Sequence, residues 1–317
     1  MTGTVEQAKN APVRWKADSA LALIALVWGA TFVVVKGALT EISTLYFLAL
    51  RFTLGSLFML PILVPAFRQE QGSTIWRGLR GGLITGAVLW SGYTLQTFGL
   101  QYTTAGKSGF LTSLYIVFVP IISAVLYRRW PRSQELVGVA ITALGMVLLT
   151  FPSLDRHFRF NFGDLLTLGC AVAFAFHMLV LGYFSQRERF EAVAIGQIAC
   201  VALLSFAGLP WDPPRAHWSS ALVFAIVLTG LFATTLAFVV QTWAQQYTSA
   251  TRAALLFSLE PVFALVTAVL LGGERMTIGS LVGCGLILLG ILTVELKKPS
   301  GQKAVPLPDG RGSVRGE

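Results

Sequence analysis

QTFGLQYTTA at 96–105 and QTWAQQYTSA at 241–250 are one ten-residue pattern written twice, 145 residues apart. The offset continues without a gap. Ser113-Leu114 pairs with Ser258-Leu259, Val117-Phe118 with Val262-Phe263, Leu136-Val137-Gly138 with Leu281-Val282-Gly283, and Gly145 with Gly290. About fifteen of fifty aligned positions from 101 onward are identical, which marks an internal duplication. The apolar run that holds each copy is long enough to cross a bilayer, so the duplication is one of membrane spans.

Working outward, ten apolar segments of about 20 residues each span the chain. Their expected bounds are 18–38, 44–65, 81–100, 105–127, 134–151, 163–183, 191–209, 218–241, 250–271 and 277–296. The chain has 317 residues, of which 55% are hydrophobic and 12% charged, with a mean hydropathy of +0.69. A water-soluble fold has no means of hiding that much apolar surface, whereas a bilayer removes the need. The expected fold is an all-α integral membrane protein of ten transmembrane helices. A cytoplasmic N-terminal tail at 1–17 precedes a first five-helix repeat at 18–151. A second repeat at 163–296 and a disordered cytoplasmic tail at 297–317 complete it. Residues 1–16 are polar and read as disordered, with Trp15 and Lys16 as an interfacial anchor. An odd number of spans per repeat puts the second copy upside down, the arrangement that builds alternating-access carriers around a midplane site.

The net charge is +9. The basic residues sit in the short gaps between apolar runs, so the charge describes asymmetry across a membrane and not nucleic-acid binding. With the N-terminus inside, about seventeen Lys and Arg are cytoplasmic against about six outside, which places both termini in the cytoplasm of a multi-pass protein of the cell (inner) membrane. Cys170, Cys200 and Cys284 all lie in apolar runs and read as small buried residues, neither disulfides nor metal ligands. Ala105-Gly106-Lys107-Ser108 looks like the end of a phosphate loop, but Gln101 stands where that loop needs its first glycine. Ser108 lacks a nucleophile-elbow frame because Phe110 replaces the last glycine. No catalytic set, metal site or cofactor is expected.

At these residues the chain resembles the EamA-like family of the drug/metabolite transporter superfamily. Trp28-Gly29-Ala30-Thr31-Phe32 in the first span, Arg51-Phe52 in the second and QTFGLQYTTAGKSGFLTSLY at 96–115 carry the resemblance. SLEPVFALVTAVLLGGE at 258–274, with Glu260-Pro261 and Gly273-Glu274, carries it in the second half. The resemblance implies a ten-helix carrier that moves small metabolites, commonly amino acids or related compounds, often outward. A passive pore or an intramembrane enzyme are the alternatives, and no motif supports the enzyme. The first half departs from the pattern, with Tyr115-Ile116 where the second has Glu260-Pro261.

Glu260 is the sharpest candidate, roughly 15 Å into its span at 1.5 Å per residue, and is expected to couple transport to protons or to brace the break at Pro261. His177 could share its half of the membrane as a relay partner, or simply bond a backbone carbonyl. Trp28, Trp90, Tyr93 and Tyr115 fall near mid-depth and are expected to line a substrate cavity. Gln96 and Gln241 are mates under the repeat and could orient a polar solute or join helices. Arg51 reads as a structural bond to a loop or carboxylate, and Lys107 and Arg252 as snorkelling anchors. Gly78, Gly82 and Gly86, like Gly279 and Gly283, allow close helix contact, either inside one chain or in a homodimer.

Overall fold

In a computed structural model the described residues are 2–68, 72–128, 130–150, 160–272 and 277–295. They form ten helical rods, seven continuous and three interrupted. Without water to satisfy it, backbone inside a bilayer must bond to itself, and helices do this within each segment. The first three are α1 (Thr2–Ala38), α2 (Thr44–Arg68) and α3 (Gly72–Tyr102). The fourth is split into α4 (Ala105–Ser113) and α5 (Tyr115–Tyr127), and the fifth is α6 (Ser133–Thr150). The next two are α7 (Phe162–Ser185) and α8 (Phe190–Ala207). The eighth consists of α9 (Ser220–Gly230), a π-helical turn (Leu231–Leu236) and α10 (Ala237–Ala244). The ninth is split into α11 (Ala250–Phe257) and α12 (Glu260–Gly272), and the tenth is α13 (Ile278–Glu295). Eight rods are long and apolar enough to cross a membrane by composition alone. The others are α3, diluted by glycine and polar residues, and α13, whose apolar stretch Ile278–Val294 is slightly short.

Two expectations change. Residues 2–16 continue α1 as helix where disorder was expected, because adding a turn to an existing helix avoids the nucleation cost. α3 starts at Gly72, nine residues before the expected 81. Gly273-Glu274 and the tail at 297–317 lie outside the described residues.

Connections cluster at two opposite faces. At one, Ile42 pairs with Ala216, the backbone of Ser43 donates to Arg215 O and that of His217 to Glu41 O. Lys36 Nζ at the end of α1 donates to the carbonyls of Leu100, Gln101 and Thr103, and Asn161 to that of Tyr102. At the other, Arg77 pairs with Glu188, while Gln186 and Gln246 tie the α7–α8 and α10–α11 connections together. These are called below the Lys36 face and the Arg252 face.

The two halves pack on each other more than within themselves. α6 runs along α13, and α3 along α7 and α8. The glycine faces make this possible, and they are used inside the chain. Gly78, Gly82 and Gly86 of α3 lie on Ala192, Gly196 and Gln197 of α8, while Gly138 meets Gly290 and Gly145 meets Gly283. Under the 145-residue offset Gly138 maps to Gly283 and Gly145 to Gly290, so those last two contacts are images of each other.

Candidate functional site

The two split rods bring the site together. Thr104 caps α4 by accepting from Lys107 N, and its mate Ser249 caps α11 by accepting from Arg252 N. Each helix then breaks one residue short of, or at, the same mate position: at Leu114 in the first half, and at Ser258-Leu259 in the second. Pro261 explains the second break, since it lacks the N–H that would bond back across it. In the first half the only nearby proline, Pro120, lies inside α5. The mates Tyr115 and Glu260 open the following helices, and the Tyr115 hydroxyl points at Glu260 Oε2 at 3.5 Å. Two positions related by the 145-residue offset thus meet, and they differ in chemistry.

A narrow cavity of about 70 Å³ lies against this junction. Its wall includes Trp28, Tyr93, Gln96, Tyr115, His177, Gln241 and Glu260, seven of the eight candidate residues. Trp90, the eighth, does not line it. It lies half-buried against an apolar core that includes Phe47, Leu89 and Val201, because only one stripe of α3 faces the cavity, and its indole Nε1 has no partner among the described residues. The wall also holds Arg51, Phe174, Phe238 and Phe257, which sequence reasoning did not place there. Trp28 packs on Phe238 and Phe257 at 5.7 and 4.9 Å between ring centroids, and Tyr93 on Phe52, Phe174 and Phe238. These aromatic residues carry no distinguishing pattern in spans that are apolar on all sides.

The polar groups of the wall are supported unequally. Gln96 donates to Thr112 Oγ1 at 3.1 Å. At the mate of Thr112 stands Phe257, and Gln241 Oε1 is buried without a partner among the described residues. A buried amide oxygen left unpaired costs about 1–3 kcal/mol, so it is available to a donor that enters the cavity. His177 bonds the side-chain oxygen of Gln197 on α8 at 2.9 Å, and Gln197 donates in turn to Thr242. The anticipated His177–Glu260 pair is not made, and the anticipated backbone carbonyl is replaced by Gln197, a buried amide with no sequence signal beyond its own polarity.

Glu260 is 5% exposed and its backbone carbonyl presses on Gly29. Any side chain at position 29 would collide there, which gives the Trp28-Gly29 pair of α1 a physical reason. No cation lies within ion-pair distance of Glu260 among the described residues. Lys107 and Arg252, expected to be anchors, make ion pairs instead. Lys107 Nζ reaches Asp164 Oδ2 at 2.6 Å near the Lys36 face, and Arg252 Nη2 reaches Asp18 Oδ2 at 3.0 Å near the opposite one. The pairs tie the start of α4 to α7 and the start of α11 to α1. Asp164 is also held by Thr103 and closes the capping box of α7 with Asn161. Cys170, Cys200 and Cys284 are free thiols. No group of three or more His, Cys, Asp or Glu able to hold a metal occurs among the described residues.

A multi-pass helical bundle with a cavity at the meeting point of two interrupted spans defines a class of membrane proteins that handle small solutes. The chain belongs to the EamA-like transporter family, whose model matches twice, at residues 15–151 and 161–296. A protein of Archaeoglobus fulgidus described as an uncharacterized transporter is 35% identical over 284 residues, covering 90% of this chain and 87% of its own. A relative in Escherichia coli, described as a "probable amino-acid metabolite efflux pump", is 26% identical, covering 86% of this chain and 93% of its own. A crystal structure at 20% identity shares the fold, with a TM-score of 0.73, and covers 89% of this chain and 98% of that one.

Proposed function

We propose that the protein is a secondary carrier that exports small organic metabolites, amino acids or related compounds, by alternating access between two inverted five-helix repeats. The observation that carries this reading is the junction of symmetry mates. Tyr115 and Glu260 meet at the wall of the cavity, each at the start of a half-helix that resumes after a break. Half-helices of opposed halves facing a midplane site are what rocking one repeat against the other requires. The substrate site comprises Trp28, Tyr93, Gln96, Tyr115, His177 and Gln241, with Glu260 as the proton-exchanging group. Trp90 supports it from behind through Tyr93, three residues along the same helix. The outward direction and the amino-acid class draw on the description of the Escherichia coli relative.

The two ion pairs suit the two closures of such a cycle. Lys107–Asp164 fastens the Lys36 face and Arg252–Asp18 the other, each between a half-helix and the first helix of the opposite repeat. On the Arg252 side a buried layer of Ala17, Leu21, Ala244, Ala253 and Ala254 adds an apolar seal. The basic-residue count assigns that face to the cytoplasm and puts both termini there, in the cell membrane.

Counterflow in proteoliposomes tests the reading. Protein loaded with a high internal concentration of one amino acid should accumulate the same labelled compound transiently against its gradient. A panel of amino acids, nucleobases and amines, first screened by thermal shift, supplies the substrate. Flux that rises linearly with concentration and shows no counterflow would mark a passive pore instead.

A further inference from the structure

Arg51 is a charged side chain in an unusual place. It is 4% exposed, lines the cavity, and has no carboxylate within ion-pair distance among the described residues. Its partners are neutral. Nε donates to Thr234 Oγ1 at 2.8 Å and Nη2 to Ala233 O at 3.2 Å, both on the π-helical turn. The guanidinium carbon stands 5.0 Å from the ring centroid of Tyr93 and 5.4 Å from that of Phe52. A cation inside a span costs about 2.5–3.5 kcal/mol on insertion scales, and two neutral hydrogen bonds with two ring faces offset only part of that. A guanidinium has five N–H donors, more than these two bonds occupy.

The backbone around it is built to hold it still. The π turn offers the Ala233 carbonyl to two side chains at once, Arg51 and the Trp28 indole at 3.0 Å. Thr235 bonds back to the Gly55 carbonyl, one turn along α2 from Arg51, and Gly55 leaves room for Thr234. π turns inside α-helices recur at functional sites. A planar fork fixed at the wall of an aromatic-lined cavity matches a carboxylate in two-point contact.

We propose that Arg51 is the anchor for the carboxylate of the transported solute, and that the cavity therefore selects organic acids with a flat apolar body over amines of the same shape. This rests on reading the cavity as a solute site, and it names the chemical class that site takes. The solute's ring lies among Trp28, Phe174 and Phe238, and its carboxylate pairs with the Arg51 guanidinium, across the same cavity from the Glu260 carboxyl.

The test is equilibrium binding to the purified full chain with three ring-matched probes, phenylacetate, L-phenylalanine and phenethylamine, alongside thermal shift. Both acids are expected to bind about tenfold or more tighter than the amine. Arg51→Gln should lose that preference, with acid binding weakened about tenfold or more, and Arg51→Lys should keep part of it. Thr234→Val removes a structural partner but not the guanidinium, so it should still prefer the acids. Equal binding of acid and amine by the wild type, no acid binding by the wild type, or an Arg51→Gln protein that folds and keeps the preference would each overturn the proposal. If Arg51→Gln does not fold, the wild-type comparison and Thr234→Val decide. Acid binding without counterflow would instead sink the carrier reading and leave the anchor standing, whereas counterflow of amines alone would do the reverse.

Discussion

Glu260→Gln is expected to abolish uptake driven by an imposed pH gradient while leaving substrate exchange at equal pH largely intact. The carboxyl is buried beside the break between α11 and α12, and its nearest partner is a neutral phenol at 3.5 Å. A lone negative charge at that depth is costly, so it must be met by a proton or by a cation that enters the cavity. Glutamine keeps the shape and the hydrogen bonding and removes the proton. Its mate Tyr115 does not substitute for the acid, because an ordinary phenol holds its proton at physiological pH. Glu260→Asp should retain partial coupling with a displaced pH profile, since the acid remains on a shorter arm. The check is flux of the substrate into proteoliposomes with and without the gradient. Unchanged gradient dependence in the Gln variant would reduce Glu260 to a brace for the break at Pro261.

Gly145→Ala is expected to destabilise the folded state by about 1–3 kcal/mol, the range for overpacking a contact with little room to relax. A Cβ there would stand 2.7 Å from Gly283 O and 2.8 Å from Ile287 N, both backbone atoms of α13. The image contact behaves alike, because a Cβ on Gly283 would meet Gly145 O and Leu149 N at 2.6 Å. Gly285→Ala is the control. It lies on the same α13, nothing approaches its Cβ position within 4 Å, and the change should be neutral or slightly stabilising. Detergent melting temperatures read by size-exclusion recovery compare the three. A Gly145→Ala protein as stable as Gly285→Ala would mean that α6 and α13 are free to part.

Much of this was legible in the sequence, for definite reasons. A bilayer imposes segment length, so the rods were countable from apolar runs. The 145-residue offset identified mates, and the structure puts the most informative pair, Tyr115 and Glu260, in contact. What remained hidden depends on direction and not on identity. In a span that is apolar all round, periodicity does not separate a residue facing a cavity from one facing a neighbour or lipid. Trp90 and Tyr93 therefore looked equivalent, yet only Tyr93 reaches the cavity. Arg51 reads from sequence as a structural bond to a loop or carboxylate because the π turn that receives it leaves no trace in LFATTL at 231–236. The ion pairs of Lys107 and Arg252 are hidden in the sequence because Asp164 and Asp18 lie far away along the chain, on other helices.

The claim that one site is served in turn from two faces is tested most directly by reciprocal accessibility. In a protein with Cys170, Cys200 and Cys284 replaced, single cysteines are placed at Val35 on the cavity wall and at Ala244 in the apolar seal. A membrane-impermeant thiol reagent is then applied to intact cells and to inverted vesicles, which also reports the orientation of the two faces. Arg252→Ala, which releases the Asp18 pair, should raise labelling at 244 from the Arg252 side and lower it at 35 from the Lys36 side. Lys107→Ala, which releases the Asp164 pair, should do the opposite. Labelling that rises at both positions together in either variant, or changes at neither, would contradict alternating access between the two halves.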